Sequence, residues 1–200
     1  YWQIYKMSWD LPISVEIDGT EYPIRNKCDY RVVLDVIKAL NDEDLDMQYR
    51  IHCALFIFYG NDELDTKEKV LKAFKTKENT QIAIDEMTKI ISLGEEKEQD
   101  DKPPIMDWGH DFSHIAPPIN RVLGYSVRDE NNYTHFWDFI GAYQEIGECS
   151  WANIVSVRSK RMKGKPLDKW EREFYNENRK LIDLPHKLTD EEQEWLDSDW

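Results

Sequence analysis

The sequence has few cysteines and no long apolar run. Its three cysteines, Cys28, Cys53 and Cys149, are too few and too scattered for a disulfide framework. We interpret them as reduced, half-buried thiols of a cytosolic protein. The longest apolar run covers only residues 53–59, whereas a membrane-spanning helix needs about 20 apolar residues. Residues 1–6 lack the pattern of a signal peptide and are interpreted as a translated leader, so the sequence predicts a cytoplasmic protein without membrane contact.

The motifs of several common enzyme classes are also missing. The sequence contains no glycine-rich phosphate loop and no Gly-x-Ser-x-Gly nucleophile elbow. Cys149 lies downstream of His135, but a reactive thiolate needs an electropositive setting and the residue beside this cysteine is Glu148. We therefore interpret Cys149 as structural and predict a protein that has no catalytic residues and no cofactor.

Positive charge is scarce relative to negative charge. The chain has 26 lysines and arginines against 40 aspartates and glutamates, which gives a formal net charge of −14. Such a surplus of acids repels the nucleic-acid backbone and anionic membranes. The composition therefore disfavours nucleic acid as a partner and favours basic or neutral proteins.

Aromatic residues, in contrast, are plentiful, with eight tryptophans and ten tyrosines. The densest group lies in residues 135–147, where the apolar spacing places the rings on one face of a helix. Thr134 is the predicted N-cap of this helix, and Gly147 is the predicted left-handed residue at its end. Aromatic residues are enriched at interfaces, so this helix is either the centre of a helical core or the anchor of a protein interface.

The apolar spacing predicts a mostly α-helical chain with bundle-like lobes and a small N-terminal β-hairpin. The hairpin covers residues 12–24 and turns at Asp18-Gly19. We predict that one helix stops before Pro117-Pro118, because the residue before a proline avoids the helical region. The predicted helices cover residues 30–40 after an Asp29 cap, 45–59, 66–74, 80–93, 107–116, 119–124, 135–147 and 151–162 after a Ser150 cap, with further helices after capping boxes at Asp168–Glu171 and Thr189–Glu192.

The best candidate for a linker is residues 94–104. This stretch holds five acids and two bases, and it ends in Pro103-Pro104. We predict that it separates an N-terminal lobe, residues 1–93, from a C-terminal helical lobe, residues 105–200. A solvated loop inside one domain is the alternative interpretation.

Two histidines have a spacing that can hold zinc. His110 and His114 lie one helical turn apart, and Asp111 occupies the place of the general-base carboxylate in metalloprotease helices. That motif requires glutamate, and a third ligand such as His135 has no support in the sequence. Solvent-facing histidines are therefore the favoured interpretation, and a metal site is the weaker alternative.

A basic run covers residues 158–165 and holds five lysines and arginines and no acid. Near a helix end such charges offset the helix dipole, with the acidic C-terminal residues close by. Contact with an acidic protein segment and contact with nucleic acid are the alternatives. A short acidic helix at the C-terminus is of the kind that docks into a partner groove. The candidate interface residues are Trp137, Tyr143, Trp151, Trp170, Trp195 and Trp200, together with Arg158, Lys160 and Arg161 of the basic run.

Six short motifs in the second half of the chain, taken together, are specific enough to indicate a protein family. They are Asn120-Arg121-Val122-Leu123-Gly124-Tyr125, His135-Phe136-Trp137-Asp138-Phe139, Tyr143-Gln144-Glu145-Ile146-Gly147-Glu148-Cys149, Ile154-Val155-Ser156-Val157-Arg158, Gly164-Lys165 and Trp170-Glu171-Arg172-Glu173-Phe174-Tyr175. This set resembles the bacteriophage gene-product-fifteen family. The resemblance is close over residues 107–184 and looser over residues 11–94. Phe136 stands where the family has the second residue of a His-Trp-Trp motif, and it keeps the aromatic bulk.

Members of that family occur in tailed phages and prophages of Gram-positive bacteria, and their genes lie in the tail-morphogenesis cluster near the tape-measure gene. The resemblance implies a non-enzymatic tail-assembly protein, either chaperone-like or a minor tail protein. Its implied partners are the tape-measure and tail-tube proteins, in the host cytoplasm or in the virion tail, and a homo-oligomer stays open. The alternatives are a small metal-dependent enzyme that uses His110 and His114, and a phage factor that binds a host protein.

Overall fold

A computed structural model describes residues 10–94 and 105–184. These residues are mostly helical and include one small β-hairpin, which confirms the predicted fold class. The predicted leader and the predicted terminal helix after Thr189 lie outside the described residues. The elements are β1 (Ser14–Ile17), β2 (Thr20–Pro23), a 3₁₀ turn (Arg25–Lys27), α1 (Tyr30–Leu40), α2 (Met47–Tyr59), α3 (Lys67–Ala73), α4 (Lys77–Ile91), α5 (Trp108–Leu123), α6 (Phe136–Gln144), α7 (Ser150–Met162), α8 (Lys169–Glu177) and α9 (Arg179–Ile182).

The chain forms two compact units, and each unit combines two stretches of sequence. The first unit takes residues 1–101 and 119–145, and the second takes residues 102–118 and 146–200. The linker predicted at residues 94–104 falls almost wholly outside the described residues, and the lobes on either side of it stay a prediction.

The hairpin forms where the Asp-Gly pair predicts it. Strands β1 and β2 are antiparallel, with Ser14 opposite Pro23 and Ile17 opposite Thr20. The φ angles of Asp18 and Gly19 are 50° and 71°. Two left-handed residues in succession make the type of turn that matches the twist of a hairpin.

The core of the first unit lies around α2, which packs against α1, α3 and α4. The hydroxyl of Tyr59 donates a hydrogen bond to the carbonyl of Ala83 at 2.9 Å. Burial raises the pKa of that hydroxyl, so it remains protonated and able to donate. Buried apolar side chains here include Val33, Val36, Leu55, Phe58, Val70, Phe74 and Met87.

The segment that leads into α1 has an unusual backbone. Asn26, Lys27 and Cys28 have φ angles of 49°, 54° and 62°, a conformation unfavourable for L-residues by roughly 1–2 kcal/mol each. Besides local turn bonds, two hydrogen bonds from distant residues hold the segment: the Tyr133 hydroxyl donates to the Lys27 carbonyl at 2.7 Å, and the Phe136 amide donates to the Cys28 carbonyl at 2.9 Å. Cys28 is fully buried rather than half-buried, and this burial raises the pKa of its thiol to about 12.

The aromatic stretch forms α6, but its N-cap is His135 rather than Thr134. Nδ1 of His135 accepts a hydrogen bond from the amide of Trp137 at 3.1 Å, and Nε2 lies 3.0 Å from the carbonyl oxygen of Pro12. Because Nδ1 accepts and a carbonyl oxygen cannot donate, the ring proton is assigned to Nε2. Thr134 is buried, and its backbone carbonyl accepts a hydrogen bond from the amide of Tyr30.

One face of α6 packs on α1 inside the first unit. The rings of Phe139 and Tyr30 stack with centroids 4.2 Å apart and an angle of 7° between their planes. Phe136 is buried, while Trp137 is half-buried and donates a hydrogen bond from Nε1 to the carbonyl of Ile90 at 2.9 Å. The aromatic stripe is therefore largely core, which was one of its two predicted roles.

Helix α5 runs without interruption through Pro117 and Pro118, so the predicted break between residues 116 and 119 is wrong. An interior proline removes a helical hydrogen bond and usually costs about 3 kcal/mol or more. Ile115 and Ile119 lie one turn apart on either side of the prolines, and both are fully buried. Burial of this face stabilises the helix against the local preference of its sequence.

Two predicted helix ends also differ from the structure. Helix α6 has Glu145 as its C-cap, so Gly147 lies beyond the cap, although its φ of 59° is left-handed as predicted. Ser150, the predicted cap of α7, is the first residue of that helix. Cys149 takes the cap position without a side-chain hydrogen bond.

We expect the cap of α6 to be the main contribution of His135 to stability. The variant His135→Ala loses both ring hydrogen bonds, so its free energy of unfolding in urea should fall by about 1–3 kcal/mol. His135→Asn should recover part of that loss, because an amide oxygen can still accept a hydrogen bond from the Trp137 amide. His52→Ala, a half-buried histidine of α2, is the control, and an equal loss in both alanine variants would contradict this role.

Candidate functional site

The second unit is organised around a buried ion pair between Arg158 of α7 and Asp111 of α5. The two guanidinium nitrogens Nη1 and Nη2 lie 2.7 and 2.8 Å from Oδ2 and Oδ1 of the carboxylate, so the contact is bidentate. The side chains are 5% and 0% exposed. Paired geometry of this kind is the arrangement in which buried opposite charges are tolerated.

The remaining hydrogens of the Arg158 guanidinium also have acceptors. Nε donates to the carbonyl of Ile182 at 2.7 Å, Nη2 to that of Leu181 at 2.6 Å, and Nη1 to that of Ile105 at 3.2 Å. With the two bonds to Asp111, these contacts use all five donors of the group. The side chain therefore satisfies carbonyls at the C-terminal end of α9, which a helix leaves without partners.

The carboxylate of Asp111 is equally well supplied with donors. The Asp107 amide donates to Oδ2 at 2.9 Å, and His110 Nδ1 lies 2.8 Å from Oδ1. Burial opposes ionisation of this group, but the hydrogen bonds from Arg158, Asp107 and His110 outweigh it and hold the pKa of Asp111 below its ordinary value. The charged form is therefore the stable one in the folded protein.

This arrangement bears on the two histidines with zinc-like spacing. His110 is engaged with Asp111, and His114 is half-buried one turn later. The carboxylate of Asp111 is used by Arg158, so it is not available as a general base. Within residues 10–94 and 105–184, no group of three or more His, Cys, Asp or Glu side chains could hold a metal ion. The metal-site alternative therefore gains no third ligand from the described residues.

The first three cations of the basic run each pair with an acid of the same unit. Besides Arg158, Lys160 binds Glu171 of α8, and Arg161 binds Asp183. Glu171 is buried and also completes the capping box predicted for Asp168 and Glu171. The acidic partners in the described part of the chain thus come from α5, α8 and the residue after α9.

The structure separates the predicted interface residues into buried, half-buried and exposed ones. Trp151 is 1% exposed, and the Arg158 guanidinium lies 5.4 Å from its ring centroid, so both belong to the interior of the second unit rather than to a free surface. Trp137 and Tyr143 are half-buried in the first unit. Trp170 is 52% exposed. Trp195 and Trp200 lie outside the described residues.

The exposed indole of Trp170 stacks on the ring of Phe174, one turn further along α8. The two centroids are 5.2 Å apart and the ring planes differ by 11°. Arg161 lies over the ring of Tyr175 on the same helix at 4.0 Å. Helix α8 therefore presents an aromatic pair in which Trp170 is exposed and Phe174 is half-buried, and the contact of Tyr175 with Arg161 joins the helix to α7.

A groove of about 220 Å³ is lined mainly by residues of α7 and by residues at the end of α9, and we call it the α7–α9 groove. It is mostly apolar, and Met162 at its edge is 36% exposed. The groove is lined by Ile105, Arg158, Arg161, Met162, Ile182, Asp183 and Leu184.

The pairing of Arg158 with Asp111 is not among the predictions from the sequence, in which Asp111 is only a mimic of a metalloprotease carboxylate. A signal was available, because Asp111, Ile115 and Ile119 follow one another at intervals of four residues, and all three are buried in one helix. An acid on the buried stripe of a helix requires a cationic partner.

Comparison with known protein families decides what the chain is. A family model described as Bacteriophage Gp15 protein matches residues 7–184. The chain belongs to the bacteriophage Gp15 family. The match includes every residue that the structure describes, whereas Trp195 and Trp200 lie beyond it. Comparisons with curated proteins and with solved structures gave no match.

Membership of this family makes the chain a bacteriophage protein of the structural or morphogenesis class. Across residues 10–94 and 105–184, none of the helices has the length and apolar character that crossing a bilayer requires.

We expect the Arg158–Asp111 pair to be the most sensitive point of this Gp15 protein. Arg158→Met leaves the carboxylate of Asp111 buried without its partner, so the free energy of unfolding in urea should fall by about 3–5 kcal/mol. Arg161→Met is the matched control, because it removes a surface pair and should cost no more than about 1 kcal/mol. Similar losses in the two variants would contradict the assigned role of the buried pair.

The Arg158–Asp111 pair also makes the free energy of unfolding decrease at acidic pH. The folded pKa of Asp111 lies below its unfolded value of about 3.9, so its contribution is complete above that value and is lost as the pH falls through the folded pKa. Asp111→Asn should therefore show a smaller loss of unfolding free energy between about pH 5 and about pH 2 than the wild type. Urea titrations at each pH measure this, with Asp183→Asn as control. Equal pH slopes for wild type and Asp111→Asn would contradict the prediction.

Proposed function

We propose that this Gp15-family protein acts without catalysis in phage tail assembly, by binding helical segments of other tail proteins such as the tape-measure protein. The observation that carries the proposal is the family match over residues 7–184, because it places the chain among phage proteins of the structural or morphogenesis class. The surface of the second unit supports a binding role. We propose that this binding takes place in the host cytoplasm, before the tail tube forms around the tape-measure protein.

Helix α8 provides the binding surface that we assign. Tryptophan is among the residues most often found at interface hot spots, and Trp170 is half-exposed on α8. The indole is pre-positioned, since Phe174 stacks on it and the capping box with Glu171 fixes the first turn of the helix. A group that is already ordered loses less conformational entropy when it binds.

The proposed partner fits this surface in two respects. A long helical protein that associates through its apolar faces needs those faces covered until assembly, and the exposed ring of Trp170 can contact such a face. The net charge of −14 on this chain favours the solubility of a complex with such a partner. We propose a tail-tube protein as a second partner of this surface.

Co-expression with the tape-measure protein of the same phage tests the proposal. We expect the two proteins to co-purify and the tape-measure protein to aggregate less than when it is expressed alone. Trp170→Ala should weaken the affinity at least about tenfold, because it removes the exposed ring of the aromatic pair. Met47→Ala, which changes an even more exposed apolar residue of the first unit, is the control and should bind normally.

Two results would count against the proposal. The first is unchanged aggregation of the tape-measure protein together with no co-purification. The second is capture of a host protein from uninfected lysate by the wild type and not by Trp170→Ala, which would instead favour a phage factor that acts on the host.

A further inference from the structure

The α7–α9 groove is mostly apolar, and its charged lining residues are already paired within the unit, Arg158 with Asp111 and Arg161 with Asp183. Ile105, Met162, Ile182 and Leu184 supply its apolar lining, and the donors of Arg158 are all used within the unit. An occupant of this groove therefore gains most from apolar or aromatic side chains.

Positive charge lies immediately after the groove residue Met162. Lys163 and Lys165 are exposed, and Lys169 is exposed at the start of α8. Among the described residues, no acid lies within ion-pair distance of these three lysines. In a chain with a net charge of −14, this is a local surplus of the opposite sign, and it attracts an acidic occupant.

The chain itself contains a segment of matching chemistry. Residues 189–200 hold six acids and no base, and their apolar residues are Trp195, Leu196 and Trp200. Leu184 lines the groove and is followed by 16 further residues. Sixteen residues span about 24 Å as a helix and up to about 55 Å when extended, so the whole groove is within reach.

We infer that residues 189–200 occupy the α7–α9 groove of their own chain. In this arrangement Trp195 and Trp200 supply the apolar contact, and the acids of the segment lie near Lys163 and Lys165. A segment attached at Leu184 has an effective concentration of the order of millimolar, so weak contacts suffice to keep it bound. The inference goes beyond the proposed function, because it concerns two parts of one chain and involves no other tail protein.

Photo-crosslinking in the full-length chain tests the contact directly. A photoreactive benzoylphenylalanine at position 195 should crosslink within the monomer, and mass spectrometry should find the crosslink on peptides that contain Ile105, Met162 or Ile182. Crosslinks confined to other parts of the chain, or none, would overturn the inference. A product of dimer size would overturn it as well, because the groove would then hold the segment of a second copy.

Matched variants separate the contact from general damage to the fold. Met162→Asp and the pair Lys163→Glu/Lys165→Glu should each lower the crosslink yield at least about fivefold, while the far-ultraviolet circular dichroism stays unchanged. Met47→Asp and the pair Lys75→Glu/Lys77→Glu are the controls, since they change an exposed methionine and two exposed lysines of equal spacing in the first unit. Yields that stay constant in the groove variants, or fall equally in the controls, would refute the proposed contact.

Discussion

The guanidinium of Arg158 is the group on which the order of the second unit depends. It is buried, and every one of its five hydrogens points at an oxygen of Asp111, Ile105, Leu181 or Ile182. A buried charge is tolerated only with such complete pairing, because an unpaired one costs several kcal/mol. The Arg158 side chain therefore stabilises the unit when all its acceptors are in place. It destabilises any arrangement in which one acceptor is missing. It therefore fixes α5, α7 and α9 against one another within that unit.

Helix α8 also has a buried charged group whose hydrogen-bonding partners are all within the second unit. Glu171 is buried and serves twice, as the reciprocal partner of the Asp168 cap and as the anion for Lys160. One carboxylate thus orders the start of the helix and ties it to α7. The exposed ring of Trp170 lies in that ordered first turn. Trp170 thus differs from an ordinary exposed surface residue, because the capping box and the stacked ring of Phe174 restrict the orientation of its indole.

Local chemistry was predictable from the sequence where one or two residues decide the conformation. The Asp18-Gly19 turn, the Asp29 cap of α1 and the capping box at Asp168 all follow from short patterns, and the structure has all three. The predictions that were wrong concern positions whose conformation depends on residues far away in the sequence. Helix α5 continues through two prolines because its face is buried, and His135 rather than Thr134 caps α6 because Pro12, 123 residues away, accepts the second ring hydrogen bond. The pairing of Asp111 with Arg158 could not be read from composition, since a chain with 40 acids offers many candidate partners.

The three left-handed residues 26–28 have a consequence for how the chain acquires its structure. Their conformation is intrinsically unfavourable, and the bonds that compensate come from residues 133–136, more than a hundred positions later in the sequence. Closing so large a loop is entropically costly, and it precedes any gain from the contact. On the ribosome, the N-terminal stretch emerges long before its support exists, so this junction is expected to lock only once synthesis has passed α6. Until then the hairpin and α1 lack the hydrogen bonds from residues 133–136 that fix the segment between them.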